Sequence, residues 1–125
     1  MHAKRTFFLA TTLLLVGAIG PTLADPIADF YKGKNLTINV GYSPGGDYDL
    51  RSRLIAKYMS KHIPGNPQII VRNMTGGGGL VVTNWLANIA QRDGTVMMVM
   101  PQAMPVMQAM GVKGVKFDVR KFNWL

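Results

Sequence analysis

Three times along this chain a short apolar run gives way to a bend built on glycine or proline, and a helix-like segment follows. That recurrence constrains the fold more than any other feature. Leu36-Thr37-Ile38-Asn39-Val40 alternates branched and polar residues as a strand does, whereas Leu50, Leu54 and Tyr58 recur every four residues, as on one helical face. Between them lies the bend Gly41-Tyr42-Ser43-Pro44-Gly45-Gly46-Asp47. The helix is predicted from about Tyr48 to His62, where Pro64-Gly65-Asn66-Pro67 stops it, and Gln68-Ile69-Ile70-Val71-Arg72 restarts the pattern as a second strand. Its bend runs from Asn73 to Gly79, and Leu80 to Ala90 follows as a helix with Val82, Leu86 and Ile89 inward. After Arg92-Asp93-Gly94, the apolar run Thr95 to Met100 shows no alternation, which predicts a central strand covered on both faces. Pro101-Gln102 breaks it, and Ala103 to Met110 reads as a third helix closed by Gly111. Ahead of all this, Asp25 to Gly33 is a short leader with one helical turn through Ile27 and Phe30.

Strands alternating with helices predict parallel pairing through right-handed crossovers, hence an α/β fold with an open, largely parallel sheet and helices on both sides. In such a sheet every strand-to-helix bend leaves at the carboxyl edge. Tyr42 to Asp47, Asn73 to Gly79 and Met100 to Gln102 are therefore expected around one crevice. Gly45 and Gly46 permit positive φ and a close approach of ligand to backbone, while Asp47 or Asp49 can cap the first helical turn. A helix start of this kind suits a carboxylate or phosphate. The run Gly76, Gly77, Gly78, Gly79 reads either as a plain connector or as a backbone anion cradle.

The first residues have a different character. Met1-His2-Ala3-Lys4-Arg5 is a basic head, Thr6 to Gly20 is a fifteen-residue apolar run, and Thr22-Leu23-Ala24 places small residues where a signal peptidase cuts. Residues 1–24 are thus expected to be a signal peptide for export to the periplasm, the apolar run being short of the roughly twenty residues a membrane span needs. Without Lys4 and Arg5, twelve basic residues face six aspartates, a formal charge of +6. The basic residues are scattered in pairs with no aromatic-basic motif, so no nucleic-acid partner is expected, only mild steering of anions. The absence of cysteine excludes disulfides, thiolate chemistry and lipid anchoring through a cysteine.

Two other chemistries compete for these residues. Gly41-Tyr42-Ser43-Pro44-Gly45 fits the G-x-S-x-G nucleophile elbow of serine hydrolases. The residue after the nucleophile must give its N–H to the oxyanion, and Pro44 has none; His62 lies a helix length away, roughly 20 Å. Six of the nine methionines fall between Met97 and Met110, and Met104, Met107 and Met110 could form a soft face for Cu(I). Core packing explains them more simply. Neither a G-x-G-x-x-G nor a G-x-x-x-x-G-K-[ST] pattern is present, and the reading expects no catalytic residue, metal or cofactor.

Taken together, Ser43-Pro44-Gly45-Gly46 with Asp49 and Arg53, Asn73 with Gly76-Gly77-Gly78-Gly79, and Asp93-Gly94-Thr95 resemble the solute receptors of tripartite tricarboxylate transporters, the Bug-type receptors. The resemblance covers residues 30 to 125, and Phe122-Asn123-Trp124 is similar to a segment in one branch of that family. It implies a type II periplasmic binding-protein fold. Two α/β lobes would close on a small di- or tricarboxylate held by backbone N–H groups and water, and the membrane components of the transporter would be partners. By position, Tyr42, Ser43, Gly45, Gly46 and Asp47 would form the first ligand loop, Gly76 to Gly79 the second, and Pro101-Gln102 the edge of the third. Asp49 and Arg53 would brace the helix behind the first loop. Met74-Thr75 stands where many members have Arg-Pro, Gly77 replaces a usual alanine, and Asp47 occupies a place often held by a small residue. Members of the family are roughly twice as long or more, so residues 25–125 are expected to be an incomplete N-terminal lobe, a partial first lobe of a truncated receptor.

Overall fold

Alternation of Leu36, Ile38 and Val40 with Asn35, Thr37 and Asn39 suits a strand with two unlike faces, and Asn35–Val40 (β1) is the middle strand of a three-stranded parallel sheet. The computed structural model describes residues 25–125, so the expected signal peptide, residues 1–24, lies outside the described residues. In chain order come α1 (Pro26–Tyr31), β1, α2 (Asp47–Met59) with a 3-10 turn at Ser60–His62, β2 (Gln68–Asn73), and a 3-10 turn at Gly77–Gly79. Then follow α3 (Leu80–Asn88), β3 (Val96–Val99), α4 (Ala103–Ala109) and a 3-10 turn at Val119–Lys121. Asp25 caps α1, its carboxylate accepting from the Ile27 N–H at 2.9 Å.

The strand order is β2-β1-β3, with Ile38 opposite both Val71 and Met97. The chain therefore steps from β1 to one side and returns across it to the other. Right-handed crossovers in opposite directions put α2 and α3 on opposite faces of the sheet. Thr83 on α3 reaches the Met98 sulfur at 3.9 Å, on the face that carries Asn39. The expected α/β architecture with an open parallel sheet is what forms.

Two expectations about faces and edges do not hold. β3 is an edge strand among the described residues, and all four of its residues are half-buried rather than covered on both sides. The reason lies downstream, where residues 112–125 form no further strand and cross α3 and α4 as a strap. Asn84 accepts from the Lys116 N–H and donates to the Gly114 carbonyl, and Gln108 accepts from the Val119 N–H. The second departure is Ile89, which is 73% exposed because α3 ends at Asn88 and Ile89 leaves the helical spiral at φ −125°. On α2, Leu50, Leu54 and Tyr58 share one face as expected; it is the solvent face, and Asp49 and Ser52 are the buried residues of this helix.

The apolar core is small: Leu36, Ile38, Val40, Val82, Met104 and Phe117. No helix among the described residues is long and apolar enough to cross a membrane. The burial of Met104 and the 75% exposure of Met110 set up a direct comparison. Met104→Ala should destabilise the fold by about 2–5 kcal/mol in urea denaturation, and Met110→Ala by no more than about 0.5 kcal/mol.

Candidate functional site

Each parallel strand delivers its following bend to the same edge of the sheet, and here the three bends touch. A side chain at Gly41, just past β1, would run into the Gly79 backbone at 2.8 Å and crowd Val82 at 3.0 Å, with the Pro101 ring in ordinary contact at 3.5 Å. Gly79 has φ 100°, and a Cβ there would be driven into Pro101. Glycine at both positions lets the bends after β1, β2 and β3 meet without side chains between them. The meeting point lies at the carboxyl edge beside the neighbouring strands β1 and β3, where ligands of open α/β sheets usually sit.

The first bend is held from below by a buried carboxylate. Asp49 is 1% exposed and accepts three hydrogen bonds: from the Gly45 N–H at 2.8 Å, Arg53 Nε at 2.9 Å and Asn73 Nδ2 at 2.9 Å. Asn73, the last residue of β2, also donates to the Tyr42 carbonyl at 3.0 Å, and its own Oδ1 accepts from Arg53 at 3.3 Å. One side chain thus ties the end of β2 to both ends of the first bend. The Arg53 bond, followed by the Gly45 and Asn73 donors, holds the Asp49 carboxyl well below the usual carboxylate range despite its burial.

The residues expected to form the ligand loops are placed as follows. Tyr42 to Tyr48 line an open concavity of about 720 Å³. Ser43, Gly45, Gly46 and Asp47 are exposed, and Tyr42 is half-buried with its ring stacked on Tyr48. Gly45 takes φ 83°, whereas Gly46 sits at φ −78° as the N-cap of α2 and has no need of glycine's freedom. Neither aspartate caps the first turn. Asp47 turns along the helix to pair with Arg51 at 2.8 Å, and Asp49 folds back onto Gly45. In the second bend the Gly79 N–H is taken by the Gly76 carbonyl at 3.0 Å, while Gly77 and Gly78 are exposed. At the third bend, the Gln102 N–H meets the Tyr48 hydroxyl at 3.4 Å.

Of the amides expected to face a ligand, those of Gly45 and Gly79 are occupied by protein acceptors. Those of Asp47, Tyr48, Gly77 and Gly78 have no acceptor among the described residues. Among the described residues no side chain caps α2, so its start keeps donors and partial positive charge at the rim, whereas the first amides of α3, those of Leu80 and Val81, bond back to the Gly77 and Gly76 carbonyls. Arg51 offsets the charge that Asp47 brings to this edge. Sequence reasoning missed the double role of Asn73 and the reach of Tyr48 to the third bend. An amide at a strand end beside a glycine bend was the available signal for Asn73; nothing local marked Tyr48.

Ser43 is exposed on the bend, followed by Pro44, while His62 lies beyond the other end of α2, whose thirteen residues span about 20 Å. Ser43 and His62 therefore form no pair among the described residues. The methionines do not share a face either, since Met104 is buried in the core and Met110 is exposed. Among the described residues no group of three His, Cys, Asp or Glu could hold a metal ion.

No family model matches the chain. Over 81 residues it is 37% identical to the "UPF0065 protein in the TAR-I ttuE-ttuC' intergenic region" of Agrobacterium vitis, a match covering 65% of this chain and 22% of that protein. The chain therefore spans about a fifth of the length of the curated relative it matches.

The depressed Asp49 carboxyl predicts a pH dependence. Below the ordinary aspartate value of 3.8 the unfolded chain takes up a proton that the folded chain refuses, so stability falls as the pH drops. Asp118 and Asp93, also held low by hydrogen bonds, act in the same direction. Urea unfolding of Asp49→Asn between about pH 4 and pH 2 should show a slope reduced by up to one proton relative to the parent, alongside lower stability at neutral pH. Gly79→Ala should cost more than about 1 kcal/mol in the same assay, because alanine fits neither the φ nor the contact with Pro101.

Proposed function

We propose that this chain is a solute-receptor module of the Bug type, which binds a small di- or tricarboxylate at the rim and delivers it to the membrane components of a tripartite transporter. UPF0065 is a family name used for such receptors, and the similarity over 81 residues supports that family. The observation that carries the reading is the meeting of three strand-to-helix bends at Gly41, Gly79 and Pro101, with the start of α2 left uncapped beside them. A carboxylate set there accepts from the free amides of Asp47, Tyr48, Gly77 and Gly78 and sits at the positive end of the α2 dipole.

Binding of this kind needs no bond making or breaking. Backbone donors recognise charge and shape, and the Asp49–Asn73 linkage keeps those of the first bend in place before the ligand arrives. In the receptor reading, residues 1–24 direct export to the periplasm, residues 25–125 supply part of the first lobe, and a second α/β lobe closes the cleft. Such an arrangement accounts for a concavity that is open to solvent within the described residues.

Calorimetry tests the proposal better than tryptophan emission, since Trp85 lines a separate groove with Thr37, Arg72 and Thr95, away from the first bend. Titration of the purified chain with succinate and citrate should give a saturable heat that is absent with succinamide, the uncharged counterpart. Silence from both acids would overturn the receptor reading.

A further inference from the structure

We propose that the rim selects a carboxylate carried on a flat aromatic ring, through the stacked pair Tyr42 and Tyr48. The inference rests on the receptor reading and adds the body of the ligand to its charge. The two rings lie 4.8 Å apart between centroids and 29° from parallel, at opposite ends of the bend that forms the concavity. Each residue is half-buried, so the pair is partly embedded and partly open to the rim.

One ring, and the backbone that carries the other, are anchored by contacts outside the stack. The Tyr48 hydroxyl accepts from the Gln102 N–H at 3.4 Å, which holds that ring against the third bend. The Tyr42 carbonyl accepts from Asn73 at 3.0 Å, which fixes the backbone under the other ring. A wall held in this way loses little freedom when a ligand arrives.

A stacked pair leaves ring surface for a third planar group, and offset stacking adds to the gain from apolar area removed from water. A hydrated aliphatic acid of equal charge meets the same amides but gains no stacking and must shed water against an aromatic wall. The Asp47 carboxylate does not disturb this wall, because it turns along α2 to Arg51.

The test compares isophthalate with cis-cyclohexane-1,3-dicarboxylate, which has the same charge and attachment pattern without a flat ring, and with succinate. Calorimetry on the purified chain should find isophthalate about fivefold tighter than the cyclohexane acid. Tyr48→Leu should lower isophthalate affinity by more than succinate affinity and bring that ratio close to one. Tyr48→Phe, which keeps the ring and loses only the contact with Gln102, should retain the preference. Equal affinities for the two ring acids in the parent chain, or a Tyr48→Leu loss as large for succinate as for isophthalate, would overturn the inference and leave the receptor reading standing. Failure of all three acids to bind would overturn both.

Discussion

The rim depends on one buried carboxylate. Taking a charge out of water is costly unless hydrogen bonds and an opposite charge replace the solvent, and Asp49 has three donors to do so. Each donor comes from a different place: the bend after β1, the next turn of α2 and the end of β2. Satisfying the carboxylate therefore fixes the relative position of all three. The same requirement turns α2 so that Asp49 and Ser52 face inward and Leu50, Leu54 and Tyr58 face outward. A polar demand thus overrides the apolar stripe in setting the roll of this helix.

The strand order then does the rest. Because β1 lies between β2 and β3, its bend sits at the centre of the carboxyl edge. Close approach of Gly41, Gly79 and Pro101 brings the three bends into contact at this edge. The free amides at the start of α2 follow from the geometry of a helix end rather than from any special residue, and those of Gly77 and Gly78 lie in the turn ahead of α3. Beside them stand the ring pair Tyr42 and Tyr48 and the ion pair that turns Asp47 along α2.

Much of this was legible in the sequence where a local rule applied. The alternation in β1, the proline stop after His62 and the glycine bends placed the strands and helices to within a few residues, and alternation of type implied the parallel sheet. Local rules gave out where the answer depended on distant partners. Nothing in Thr95 to Met100 tells a central strand from an edge strand, because the difference lies in whether a later segment returns to pair with it. Ile89 follows the helical period in sequence but falls just past the residue where the helix ends. Asn73 holds the first bend only because parallel pairing sets Val40 opposite it, a relation between residues 33 positions apart. The strap from Val112 onward, pinned by Asn84, Asn88 and Gln108, carries no periodic signal at all.

The central claim is that backbone amides at one edge of the sheet receive an anion. Backbone amide NMR shifts during titration with succinate address it residue by residue. The account predicts the largest changes at Asp47, Tyr48, Gly77 and Gly78, with the amides of Gly45 and Gly79, already bonded within the protein, moving less. Changes centred on Arg72, Trp85 and Ile89, with the rim amides unmoved at saturation, would contradict it.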